Sequence, residues 1–241
     1  MTTVTTTRET YPSPPEVTEI PLNVIGTFGQ LSELTAEAVR AARDAELAGD
    51  SAVLVLRAGG GRVHVPGRTG IHQVSKWEQA LRRLERLPTP IVALTQGVLN
   101  GPGMEAMLVA DFRIATVDMV VDLSQADGTL WPGMAVHRLA QQIGVARARR
   151  LVLFGLPIGA AEAAEIGLVD ELVASGPAAE EALADAVQLA AGTTGPDLAI
   201  RRRLLMDAVT TEYEESLGAH LSACDRALAL VARPADVGGP S

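Results

Sequence analysis

The chain switches repeatedly between short unbroken apolar runs and longer stretches in which apolar residues return every three or four positions. Ala52–Leu56 (AVLVL) and Ile91–Thr95 are of the first kind, the pattern of strands buried on both faces, and Phe112–Thr116 and Met119–Leu123 predict further strands. The helical rhythm begins with Glu33–Leu47, set between Ser32 and Gly49. Trp77, Ala80, Leu81, Leu84 and Leu87 repeat it until Pro88-Thr89-Pro90 stops the helix. A glycine-rich turn, Gly97–Gly103, leads into an apolar helix from about Pro102 to Ala110. Helices are then predicted at Met134–Ile143, Ala146–Phe154, Ala160–Ile166 and Ala178–Ala191, with a last one running from Pro196 to about Val231. Short buried strands separated by helices predict an α/β fold with right-handed crossovers. On the last helix Leu217, Leu221, Cys224, Leu228 and Val231 alternate steps of four and three, a seam that would pack on its own domain or on a second subunit. Cys224 would be a small buried apolar residue on that seam.

The two ends break the pattern. Residues 1–16, Thr-rich and then Tyr11-Pro12-Ser13-Pro14-Pro15, have little to bury and predict a disordered leader, as the Gly- and Pro-rich 232–241 predict a disordered tail. Between them the expected division is a core over 17–195 and a helical, oligomer-forming region over 196–231. A length of 241 residues is enough for one large core. The net charge of −9 argues against general nucleic-acid binding, which needs a basic face. No apolar run reaches the ~18 residues of a membrane span, and Met1–Thr10 lacks the apolar stretch of a secretory signal. One cysteine rules out an intramolecular disulfide. These features predict a soluble cytoplasmic protein.

Several motifs in register then carry a resemblance. Thr89-Pro90-Ile91-Val92-Ala93, Gly97-Val98, Gly101-Pro102-Gly103-Met104-Glu105 and Ala110-Asp111-Phe112-Arg113-Ile114-Ala115 follow one another as strand, turn, helix and strand. Trp131-Pro132-Gly133, Ile158–Ala164 and Gly167-Leu168-Val169-Asp170 continue the series. Together they resemble the crotonase (enoyl-CoA hydratase/isomerase) superfamily, from about Ser51 to Val173. The resemblance implies a ClpP/crotonase-like spiral ββα core with a helical C-terminal region, forming trimers or hexamers. It also implies an acyl-CoA thioester as substrate, with no permanently bound cofactor and no metal.

In that family two backbone N–H groups hold the thioester oxygen as it becomes an enolate, and glutamates move protons; fixed donors of this kind are usually the largest catalytic term. Gly97–Glu105 occupies the place of the thioester site, and Glu105 matches the first glutamate. The second glutamate position falls on Gln125, with Asp127 two residues on. The donor positions fall on Pro66-Gly67 in the first loop and on Pro102-Gly103 at the helix start, and proline has no N–H to give. Losing one such donor costs roughly 3–4 kcal/mol, so ordinary hydration of fatty enoyl-CoA is not expected. Proline nonetheless suits the first turn of a helix, and the Gly103 N–H stays nearby. A glutamate inside an apolar helix is costly to bury alone, so Glu105 implies a site or an ion pair. Arg62 and Arg68 are candidate CoA phosphate partners, as are Arg201–Arg203. His64 and His137 adjoin segments that would border the pocket, and Trp131 falls at its mouth in the family pattern. The sequence has no dinucleotide fingerprint after Gly59-Gly60-Gly61, no phosphate loop, no metal-ligand spacing and no serine nucleophile elbow.

The departures narrow the resemblance. Ser75–Leu87 and Trp131-Pro132-Gly133-Met134-Ala135 with Arg138-Leu139-Ala140 are similar to enoyl-CoA hydratase-like proteins of dihydroxyphenylglycine biosynthesis in glycopeptide-antibiotic pathways. That similarity implies a polyketide-CoA as ligand. It also implies a type III polyketide synthase as partner in forming 3,5-dihydroxyphenylacetyl-CoA, together with a second crotonase homologue. Two roles stay open: a dehydratase or isomerase using Glu105, or a non-catalytic subunit that binds the synthase or its product.

Overall fold

The computed structural model describes residues 17–59, 69–124, 130–193 and 195–231. In chain order the strands are β1 (Thr18–Ile25), β2 (Ala52–Gly59), β3 (Ile91–Thr95), β4 (Val98–Leu99), β5 (Phe112–Thr116), β6 (Val120–Val121), β7 (Ile158–Gly159) and β8 (Glu171–Val173). The helices are α1 (Leu31–Ala48), α2 (Ile71–Leu84), α3 (Gly101–Met107), α4 (Ala135–Ile143), α5 (Val145–Phe154), α6 (Ala160–Glu165), α7 (Pro177–Ala191), α8 (Pro196–Asp207) and α9 (Tyr213–Val231). Five strands form a parallel sheet in the order β1-β2-β3-β5-β8. A smaller sheet, β4-β6-β7, is parallel in its first pair and antiparallel in its second.

The continuous apolar runs are explained by burial on both sheet faces. In β2, Leu54 and Leu56 face the main core with α1, α2 and α3, while Val53 and Val55 face α7 through Ala182, Leu183, Ala186 and Val187. The edge strand β1 was not predicted. Its sequence, TEIPLNVI, buries only Ile20, Leu22 and Val24, and the exposed Pro21 breaks the apolar run. Proline is tolerated there because an edge strand has one row of N–H groups without a neighbour.

One predicted helix is two. The stretch from Pro196 to Val231 breaks between α8 and α9, where the backbone N–H groups of Thr210 and Thr211 both donate to Asp207 O. Three consecutive β-branched residues, Val209, Thr210 and Thr211, each stiff at χ1, favour the turn over continuation. The seam on α9 is also uncovered in this chain: Leu221 and Leu228 are exposed, and so is Cys224, contrary to its expected burial. Among the described elements the main packing partner of α9 is α8. Among the described residues no helix is long and apolar enough to cross a membrane.

α8 itself is fastened by Arg202, one of the five arginines expected as candidate CoA phosphate partners. Its guanidinium is buried, chelates Asp111 at 2.7 and 2.5 Å, and donates to the carbonyls of Glu85, Leu87 and Thr89. Every donor of the side chain is engaged within the fold. Arg202 is thus a structural clasp, whereas its neighbours Arg201 and Arg203 are exposed.

Candidate functional site

α3 begins where the main sheet ends. Gly101, Pro102 and Gly103 are its first three residues, after Asn100, whose side chain donates to Ser124 O at 2.8 Å. A Cβ on Gly103 would stand 3.2 Å from the carbonyl oxygens of both Gly59 and Val24, so glycine lets the helix start rest on the ends of β1 and β2. Pro102 occupies the first turn without a backbone N–H, which costs the helix nothing there. The first intrahelical bond runs from Met104 N to Asn100 O at 3.2 Å. The Gly103 N–H therefore precedes the helical ladder, at the positive end of the helix.

Glu105 lies on this helix, 4% exposed in a shell of buried apolar residues. Its partner is an indole: Trp77 Nε1, from α2, donates to Glu105 Oε2 at 2.8 Å. Burial raises the Glu105 pKa to about 7. The Trp77 hydrogen bond opposes that rise, as do Arg138 and the backbone N–H of Ala135 at the start of α4, while Glu78 reinforces it. A carboxyl group in this condition is close to evenly divided between acid and base near neutrality, the state that suits a proton carrier.

Behind Glu105 stands a charged cluster. Arg138, buried on α4, donates to Glu78 at 2.5 and 3.0 Å and to Glu85 at 2.8 Å. Burial works against its charge, yet the bonds to Glu78 and Glu85 outweigh burial and raise the guanidinium above its ordinary pKa. The cluster ties α2 to α4 and so fixes the two elements that supply Trp77 and Ala135.

The turn before α4 closes over the carboxylate. A Cβ on Gly133 would lie 2.2 Å from Glu105 Oε1 and 2.6 Å from Trp131 Nε1, so no other residue fits without displacing them. Trp131 packs against Phe28, with ring centroids 4.9 Å apart and planes tilted by 49°.

The structure thus brings Glu105, Pro102 and Gly103 onto one short helix. Pro66, Gly67, Arg62, Arg68 and His64, and likewise Gln125 and Asp127, lie outside the described residues. His137 is exposed and, with Arg82, Arg86 and Arg201, lines a groove of about 1,230 Å³ beside α8 that Glu105 does not reach. Sequence reasoning missed Trp77 as a partner of Glu105, because helical spacing shows only that it faces inward. The available signal was scarcity: the chain has two tryptophans, and both end beside the same carboxylate. Among the described residues no group of three His, Cys, Asp or Glu side chains is arranged to hold a metal ion.

This geometry agrees with the comparison to known proteins. Residues 67–231 match the family model described as enoyl-CoA hydratase/isomerase. The chain belongs to that family. A protein of Amycolatopsis orientalis named enoyl-CoA-hydratase is 44% identical over 155 residues, covering 64% of this chain and 70% of its own length. Among solved structures, an enoyl-CoA hydratase of Mycobacterium smegmatis superposes with a TM-score of 0.73 at 17% identity over 87% of both chains. One from Bacillus anthracis gives 0.71 at 22% identity over 90% of both. A Thermobifida fusca protein determined in complex with CoA gives 0.67 at 19% identity, over 83% of this chain and 84% of its own. At such identities these likenesses establish the crotonase fold alone.

Proposed function

We propose that this enoyl-CoA hydratase-like chain binds a polyketide-CoA thioester and acts on it as a dehydratase or isomerase, assisting a type III polyketide synthase that forms 3,5-dihydroxyphenylacetyl-CoA. The observation that carries this reading is the buried Glu105, poised at about pH 7 one turn into the helix that meets the thioester in this family. In its neutral form Glu105 donates a proton to a departing hydroxyl; as carboxylate it removes one from an activated carbon. Pro102 has withdrawn one backbone donor from the helix start, which disfavours hydration of an isolated double bond. A poly-β-keto chain that gains aromatic stabilisation on losing water needs less help from an oxyanion hole. CoA bound to the Thermobifida fusca structure and the shared family support the thioester as ligand. The exposed seam on α9 supports a homo-oligomer, trimer or hexamer, and the composition suits a cytoplasmic protein with no standing cofactor.

A second reading is favoured by Pro102 itself: a crotonase-fold subunit that binds the synthase or its product, beside a second crotonase homologue, without chemistry of its own. Reconstitution separates the two. The synthase is assayed with malonyl-CoA alone, with this protein, and with Glu105→Gln, and product is followed by mass spectrometry. An enzyme loses its effect on product formation in the variant, and a binding subunit keeps it. Equal rates in all three mixtures refute both readings.

A further inference from the structure

Two indole N–H groups approach Glu105, and one of them is engaged. Trp77 donates to Oε2, and Oε1 lies against the turn formed by Trp131, Pro132 and Gly133. Trp131 Nε1 converges on the same point, 2.6 Å from the place of a Gly133 Cβ that would itself lie 2.2 Å from Oε1. Yet Trp131 Nε1 is closed off from solvent and has no hydrogen-bond partner among the described residues. Buried N–H groups are nearly always paired, and an unpaired one carries a standing penalty that an arriving acceptor relieves. Contact with Phe28 braces the ring, so the N–H is aimed rather than loose.

We propose that Trp131 is a binding residue whose indole N–H donates to an oxygen on the β carbon of a CoA-bound acyl chain, beside Glu105 Oε1. This builds on the acyl-CoA reading above. There the thioester carbonyl meets the start of α3 at Gly101–Gly103, and a helical turn rises roughly 5 Å. Glu105 lies within that rise, so its carboxyl group reaches the region of the acyl β carbon. A β-keto chain presents an acceptor there, and a saturated chain presents none. The donor that Pro102 withdraws at the thioester is in effect restored further along the chain, which biases the site toward oxygenated acyl groups.

Acetoacetyl-CoA and butyryl-CoA have acyl chains of equal length and differ at the β oxygen. Calorimetric titration of the full chain with each, in wild type and in Trp131→Phe, tests the assignment; phenylalanine keeps a ring against Phe28 and removes the N–H. Wild type is expected to prefer acetoacetyl-CoA roughly three- to tenfold, the worth of one such hydrogen bond. Trp131→Phe is expected to lose that margin while binding butyryl-CoA as wild type does. An unchanged preference in the variant, or equal weakening toward both thioesters, overturns the donor role and leaves the acyl-CoA reading standing. Failure of wild type to bind either thioester overturns that reading and the assignment together. Should Trp131→Phe not fold, wild type still decides by NMR, because the chain holds two indole N–H resonances. The one from Trp131 is expected to move downfield with acetoacetyl-CoA and not with butyryl-CoA, and an identical response to the two overturns the assignment.

Discussion

Glu105→Gln should make the protein more stable above neutrality while leaving it nearly unchanged in mild acid. The native pKa of Glu105 is about 7 against an ordinary value of 4.5, so between those limits the folded chain binds a proton that the unfolded chain releases. Its contribution to stability is therefore complete below pH 4.5 and is lost as pH rises through 7. At about 1.4 kcal/mol per pKa unit, the loss amounts to about 3 kcal/mol. Glutamine keeps an oxygen to accept from Trp77 and has no proton to lose. Urea unfolding of both proteins from pH 5 to pH 8 gives two stability curves, and their difference isolates this residue. They should nearly meet at pH 5 and diverge with rising pH, the variant ending higher by up to about 3 kcal/mol. Parallel curves would mean that Glu105 ionises as readily in the folded chain as in the unfolded one, and the proton-carrier argument would fail.

Three further outcomes follow from the same geometry. Trp77→Phe removes a charge-assisted hydrogen bond worth roughly 1.5–3 kcal/mol to the carboxylate, so the pH at which Glu105 loses its proton should rise to roughly 8–9; glutamate carboxyl resonances followed by NMR titration check this. Gly133→Ala forces a methyl group into the space beside Glu105 Oε1 and Trp131 Nε1, and should cost about 1–3 kcal/mol, visible as a lower calorimetric Tm. Arg202→Ala leaves Asp111 and three carbonyls facing a cavity, and should lower Tm by about 10 °C. An equal loss from Arg203→Ala would contradict the clasp, because Arg203 is exposed.

The sheet was legible where both faces are buried. β3 and β5 have the predicted limits because Ile91–Thr95 and Phe112–Thr116 are short, largely apolar runs whose few polar residues, Thr95, Arg113 and Thr116, are themselves buried. β1 escaped because an edge strand with a proline lacks that uniform pattern. Glu105 could be picked out because a carboxylate in an apolar helix demands a reason. Its partner could not be, since hydrogen bonds across 28 residues of sequence leave no periodic trace. The arginines illustrate the converse. Arg201, Arg202 and Arg203 are equivalent by type and position, and only the path of α8 past Asp111 assigns the middle one to the interior. The end of α8 was misplaced for a related reason, because the turn at Asp207 rests on main-chain bonds that composition does not announce.

The Arg202 clasp bears on how the chain opens. Its five donors join α8 to the segment around Glu85–Thr89 and to the turn before β5, so α8 cannot lift away without stranding a buried cation. The strands and helices from β1 to α8 are then expected to exchange their amide protons in one cooperative event. α9, joined by a short turn and holding mainly to α8, lies outside that linkage and should exchange early, by local fraying. The boundary between slow and fast exchange should fall at the Asp207–Tyr213 turn. If oligomer formation covers the α9 seam, that boundary will vanish on assembly.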